Sequence, residues 1–179
     1  SIPISNMKPI IDSNFTDNSQ YISHSIEYVK VNVHSNQNII QFLASRASKS
    51  NINSIEGDIG RTLIQFTKMQ DLNTQLSLKR ILSAYSVIDS GLGYSQGMAF
   101  IAAMLLLYMD EHASFNCFCN IMLSKRFGFR SLFVSGFPRV ILMNKVWNVA
   151  LQNYFPHMQR KLAQFSIDPI VYTLGWWLA

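Results

Sequence analysis

The stretch that most constrains the fold is Gly91 to Met109, which reads Gly-Leu-Gly-Tyr-Ser-Gln-Gly-Met and then continues without a charged residue. From Met98 to Met109 all 12 residues are hydrophobic. A bilayer span needs about 20 such residues, so the run reads as a buried core helix and as the central spine of the protein. At its N-terminal end the polar tripeptide Tyr94-Ser95-Gln96 stands between Gly93 and Gly97, where glycine lets another molecule approach the backbone closely. That tripeptide is the candidate site. Its two candidate working side chains, Ser95 and Gln96, belong to different functional classes.

Helical spacing extends on both sides of the spine. Leu78, Ile81, Leu82 and Tyr85 make one apolar face, ended by turn chemistry at Asp89-Ser90-Gly91. Phe115, Phe118, Ile121 and Met122 carry the helix after the spine, with Lys125 and Arg126 near its C-terminus, where positive charge suits the dipole. A break at Ser135-Gly136-Phe137-Pro138 precedes a stripe of Met143, Trp147, Ala150, Leu151 and Tyr154, stopped by Pro156. Met158, Leu162 and Phe165 suggest a short helix before Asp168-Pro169, and the tryptophans and phenylalanines read as core. No strand pattern bounded by hairpin signals occurs, so the expected fold class is all-α, without an internal repeat.

The first part of the chain has a different character. Residues 1–54 hold 11 Ser and 8 Asn, short polar side chains that compete with the helical backbone for hydrogen bonds. A loose N-terminal arm over residues 1–54 is expected, ahead of a domain over 55–179. Two short helices are expected to interrupt it, at Ile22, Ile26, Val29 and Val33 and at Ile39, Phe42 and Leu43, with a loop from Ser48 to Ser54. Ile55 to Thr62 contains Gly57 and Gly60, which disfavour a helix interior by up to about 1 kcal/mol each, and is expected to be an ordered loop or a loose turn. Asp58 and Arg61 within it are spaced to pair. That pair is either a surface ion pair or a device by which Asp58 aims the Arg61 guanidinium, a planar fork of donors suited to phosphate.

Charge and cysteine content narrow the partners. A net charge of +5 invites a nucleic-acid reading, but the basic residues are scattered as Lys79-Arg80, Lys125-Arg126, Arg130 and Arg160-Lys161, a pattern of solvated helix faces. No nucleic acid is expected as partner. Cys117 and Cys119 point in different directions on a helix and are expected to be free thiols of a reducing, cytoplasmic protein. No secretory signal, transmembrane segment or metal site is read. The chain opens on Ser1 and ends inside the apolar segment Ile170 to Leu178, so it is expected to be a fragment truncated at its C-terminal end.

Two readings compete for the candidate site. Gly93-Tyr94-Ser95-Gln96-Gly97 matches Gly-x-Ser-x-Gly, the nucleophile elbow of α/β-hydrolases, and chain order would permit Asp110 and His157 to complete a serine esterase triad. An elbow needs a strand running into it, and Asp89-Ser90-Gly91-Leu92 make a turn instead. The second reading takes both polar loops together. Ile55-x-x-Asp58-x-x-Arg61-Thr62, a helix ending in Ala84-Tyr85, and Gly93-Tyr94-x-Gln96-Gly97-Met98 opening an apolar helix closely resemble the TBC domain of Rab GTPase-activating proteins. The resemblance continues at Gly136-Phe137, at Pro156 and at Pro169-x-x-Tyr172-x-x-x-Trp176-Trp177.

The resemblance implies a multi-helix TBC-like domain and a Rab-family small GTPase as partner. It implies that Arg61 is an arginine finger and Gln96 a glutamine finger, both supplied in trans. Asp58 would orient Arg61, while Thr62, Tyr94 and Gly97 would shape the partner-binding loops. The chain would need no cofactor of its own, because GTP and Mg2+ are carried by the GTPase. Any association with endomembranes would be peripheral and through that partner. The family often has cysteine where this chain has Ser95, and the serine has no part in this scheme. A third reading is a TBC-like scaffold that binds a partner without accelerating hydrolysis.

Overall fold

The computed structural model describes residues 39–178, and among them it contains helices and no strand. The all-α expectation therefore holds. The helix expected over Ile22 to Val33 lies outside the described residues. The chain divides into two compact units, the first ending at Phe127 and the second beginning at Gly128.

In the first unit, α1 (Ile39–Ala44) buries Ile39, Ile40 and Leu43, as the Ile39, Phe42, Leu43 pattern predicts in part. The next element corrects two expectations. Residues 48–54 and 55–59 form no loop; they are one helix, α2 (Lys49–Ile59), capped by the Ser48 hydroxyl, which accepts from the Asn51 amide at 3.2 Å. Ile55 is fully buried on this helix, worth about 1.5–3 kcal/mol, and outweighs the ~1 kcal/mol cost of Gly57. Gly57 faces open space, so its missing side chain costs no packing.

A single turn, α3 (Thr67–Gln70), leads into α4 (Leu72–Ile88), whose Asp71 cap accepts from the Thr74 amide at 2.8 Å. α5 (Met98–Tyr108) and α6 (Glu111–Leu123) complete the unit, and Asp110 caps α6 by accepting from Ala113 at 2.8 Å. The centre of this unit is α4, and the apolar run is not the central spine that its composition suggests. α4 packs against α1, α2, α3, α5 and α6. At 17 residues it is about 25 Å long, and the buried Ser83, Ala84 and Ser86 keep it slim enough for neighbours on several sides. α5 buries Met98, Ala99, Ala102, Ala103 and Leu106 but leaves Met104 and Tyr108 exposed. Its all-round hydrophobicity conceals which face is covered.

Charge fastens α4 to its neighbours. Arg80 donates to both Glu111 carboxylate oxygens, at 2.6 and 2.5 Å, and Ser77 donates to the same carboxylate at 2.7 Å. Burial alone would push the Glu111 carboxyl up, but the hydrogen bonds and charge of Arg80 and the Ser77 hydroxyl hold it below its ordinary value. Lys79 pairs with Glu56 of α2 at 2.5 Å. The Lys79-Arg80 doublet, expected on a solvated face, is thus engaged in ion pairs between helices.

In the second unit a 3-10 turn (Phe129–Leu132) precedes α7 (Pro138–Tyr154), α8 (Pro156–Gln164) and α9 (Pro169–Leu178). Pro138 and Pro156 occupy first-turn positions, where a missing N–H costs nothing, so Pro156 begins one helix just after another stops. α7 and α9 are joined through Asn144, whose side-chain oxygen lies 2.6 Å from the Thr173 hydroxyl and accepts from Trp177 Nε1 at 3.0 Å. Trp147 Nε1 donates to the Tyr172 hydroxyl at 2.9 Å. The aromatic residues here depart from the core reading: Trp176, Phe155 and Phe165 are exposed, and α8 buries no residue.

Candidate functional site

Asp58 lies in the last turn of α2 and Arg61 just beyond Gly60, the C-cap. The Arg61 Nε donates to Asp58 Oδ1 at 3.1 Å, and Nη2 donates to the same oxygen. The two side chains differ in exposure, 11% for Asp58 and 62% for Arg61. The carboxylate is nearly buried and the guanidinium is presented to solvent. Thr62 is buried and donates its hydroxyl to the Asp58 carbonyl at 2.7 Å. The backbone after the helix is therefore fastened where Arg61 leaves it.

The other oxygen of Asp58 reaches the second loop. Tyr94 donates its phenol to Asp58 Oδ2 at 2.6 Å. Burial first, and then the hydrogen bond and negative charge of Asp58, push the Tyr94 phenol well above its ordinary range, so it remains a protonated donor at neutral pH. One carboxylate thus joins the residue two positions before Gln96 to Arg61. Gln96 itself is exposed and its side chain makes no hydrogen bond among the described residues. Gly97 opens α5 at φ 101, ψ −28, in the left-handed region that a side chain would strain. Met98, fully buried, anchors the helix immediately behind it.

The sequence-predicted residues Asp58, Arg61, Thr62 and Tyr94 are therefore brought into one linked cluster, with Gln96 and Gly97 at the end of the same loop. Sequence reasoning misses Asn51. Its Oδ1 accepts from the Tyr94 amide at 3.3 Å, across 43 residues of sequence. The available signal is the spacing of Ile52, Ile55 and Ile59 behind a serine cap, which places Asn51 on a helix; the partner on the distant loop has no local signature.

The serine esterase alternative lacks its scaffold. No strand among the described residues feeds Ser95. Asp110 is occupied as the cap of α6, and His157 is an exposed residue of α8. Cys117 and Cys119 are free, and Cys119 is made a weaker acid by complete burial and by the nearby Asp89 charge. Among the described residues no group of three or more His, Cys, Asp or Glu could hold a metal ion, and no helix is long and apolar enough to cross a membrane.

Comparison with known proteins gives a consistent result. A family model of the Rab-GTPase-TBC domain matches residues 12–179. The GTPase-activating protein GYP5 of Saccharomyces cerevisiae is 36% identical over 103 residues, covering 57% of this chain and 11% of that protein. The Rab GTPase-activating protein tbc-11 of Caenorhabditis elegans is 35% identical over 104 residues, 58% of this chain and 11% of the relative. TBC1 domain family member 1 of Bos taurus is 34% identical over 106 residues, 58% of this chain and 9% of the relative. The chain spans about a tenth of the length of these relatives.

Proposed function

Since this chain belongs to the Rab-GTPase-TBC domain family, we propose that it accelerates GTP hydrolysis by a Rab-type small GTPase, supplying Arg61 and Gln96 in trans. Phosphoryl transfer demands positioning and stabilisation of charge on the transferring group more than covalent help from protein. An arginine inserted from outside is worth about 10³ to 10⁵ in rate. Arg61 suits that role because its guanidinium is exposed yet held at its base by Asp58. Gln96 suits a second role, since its carbonyl can accept from the attacking water while its amide donates to a phosphate oxygen. The GTPase brings the nucleotide and Mg2+.

The single observation that supports this reading most is the Asp58 carboxylate, which takes Arg61 on one oxygen and Tyr94 on the other. It makes two separate loops into one site. The test is single-turnover phosphate release from a panel of GTP-loaded Rab proteins with and without this protein. Acceleration of at least one Rab is expected. Binding to a GTP-loaded Rab without acceleration would contradict the proposal and favour the scaffold.

A further inference from the structure

Asn51 and Asp58 are seven residues apart on α2, two turns along one face and about 10 Å from each other at 1.5 Å per residue. Both hold Tyr94. The Tyr94 amide donates to Asn51 Oδ1 at 3.3 Å, and its phenol donates to Asp58 Oδ2 at 2.6 Å. The tyrosine is therefore stretched along the helix and gripped at both ends. Gly93 completes the contact: with φ +68, a Cβ there would lie 3.1 Å from Asn51 Oδ1 and 3.3 Å from Nδ2, tighter than ordinary packing. The backbone of the second loop is thus pressed against the Asn51 amide.

We propose that Asn51 is a positioning residue for Gln96, setting through the Tyr94 amide where the Tyr94-Ser95-Gln96 loop lies relative to Arg61. The inference rests on the role given above to Gln96. Asn51 makes no contact with the reacting groups; it fixes the root of the loop, as Asp58 fixes the root of the guanidinium. The same rigid helix then sets both distances. What the position requires is a hydrogen-bond acceptor, which aspartate supplies and leucine, of similar size, does not.

The test compares Asn51→Leu and Asn51→Asp in the whole chain, using the Rab that responds in the hydrolysis panel. Each is assayed for stimulated hydrolysis and for affinity to that Rab loaded with GDP and aluminium fluoride, a mimic of the transferring phosphoryl group, or with a non-hydrolysable GTP analogue. Asn51→Leu is expected to lower stimulated hydrolysis by ~10- to 100-fold, the scale of an ångström-level misplacement, and to weaken the aluminium fluoride complex. Affinity for the analogue-loaded Rab stays unchanged, and Asn51→Asp restores activity to within about two-fold of wild type, the lower end of a hydrogen bond's worth. In a Gln96→Ala background Asn51→Leu has no further effect on the aluminium fluoride complex, whereas in an Arg61→Ala background its effect persists.

An Asn51→Leu protein with wild-type hydrolysis would overturn the proposal, as would a loss undiminished in the Gln96→Ala background. Gln96→Ala with wild-type hydrolysis and aluminium fluoride affinity is a separate outcome, which removes the role of Gln96 itself. Gly93→Ala, approaching the same contact from the other side, is expected to reproduce the Gln96-dependent loss if Asn51→Leu does not fold; a Gly93→Ala loss that ignored Gln96 would also overturn the proposal.

Discussion

Arg61 and Gln96 are held in different ways. Arg61 is gripped through its own side chain by a carboxylate three residues earlier, itself nearly buried at the end of α2. Gln96 has no side-chain partner among the described residues, and its place is fixed by its neighbours: Tyr94 clamped along α2, Gly97 in the left-handed conformation, and Met98 sunk in the core. The difference suits the two proposed roles. A charged donor that must meet a phosphate gains from a fixed base and a mobile tip, while a side chain that must both donate and accept needs its polar atoms uncommitted. A residue that works by charge can be steered by charge; one that works by its amide has to be steered by backbone.

Substitutions that separate the two modes give effects of different size. Arg61→Ala is expected to reduce stimulated hydrolysis by about 10³-fold or more, and Arg61→Lys to restore little, because an ammonium lacks the planar fork. Single-turnover phosphate release measures both. Asp58→Asn is expected to cost about ten-fold, since it removes charge from the Arg61 grip and weakens the acceptor for Tyr94 at once, although neither finger is changed. If Asp58→Asn left the rate unchanged, the shared carboxylate would have no part in the site. The smallest effect is expected away from it. Glu111→Gln should leave hydrolysis unchanged and cost about 1–2 kcal/mol of stability at pH 7 in denaturant unfolding, the scale of a charge-assisted pair that is partly exposed.

The pH dependence of that last variant follows from its sign. The folded-state value of Glu111 lies below the ordinary one, so its contribution is present above the unfolded value and is lost as pH falls through the folded one. The stability difference between wild type and Glu111→Gln should therefore shrink as pH drops below about 4. A difference that grew in acid would contradict the assignment.

The parts of the structure legible in the sequence are those governed by local chemistry. Helical periodicity identifies α4, α6 and α7, and the Asp58–Arg61 pair follows from a spacing of three. The 48–59 segment misleads because glycine and small polar residues argue against a helix locally, whereas burial of Ile55 and a Ser48 cap decide in its favour. The primacy of α4 over the more hydrophobic α5 is equally hidden, since composition reports how apolar a helix is and not how many neighbours it meets. In the second unit the same limit applies to Trp176, Phe155 and Phe165, aromatic yet exposed. The contacts of Tyr94 with Asp58 and Asn51, 36 and 43 residues away, depend on tertiary packing that no short pattern encodes.

The most direct test lies in two adjacent residues of one loop. Gln96→Ala and Ser95→Ala should be compared for stimulated phosphate release from a GTP-loaded Rab and for affinity to the same Rab. Gln96→Ala is expected to lose about 10²-fold in rate, the scale of a removed transition-state donor, with binding retained, while Ser95→Ala stays within about two-fold of wild type, as a substitution outside the reacting groups should. A Gln96→Ala protein that hydrolyses as well as wild type, or a Ser95→Ala protein that has lost activity, would contradict the account.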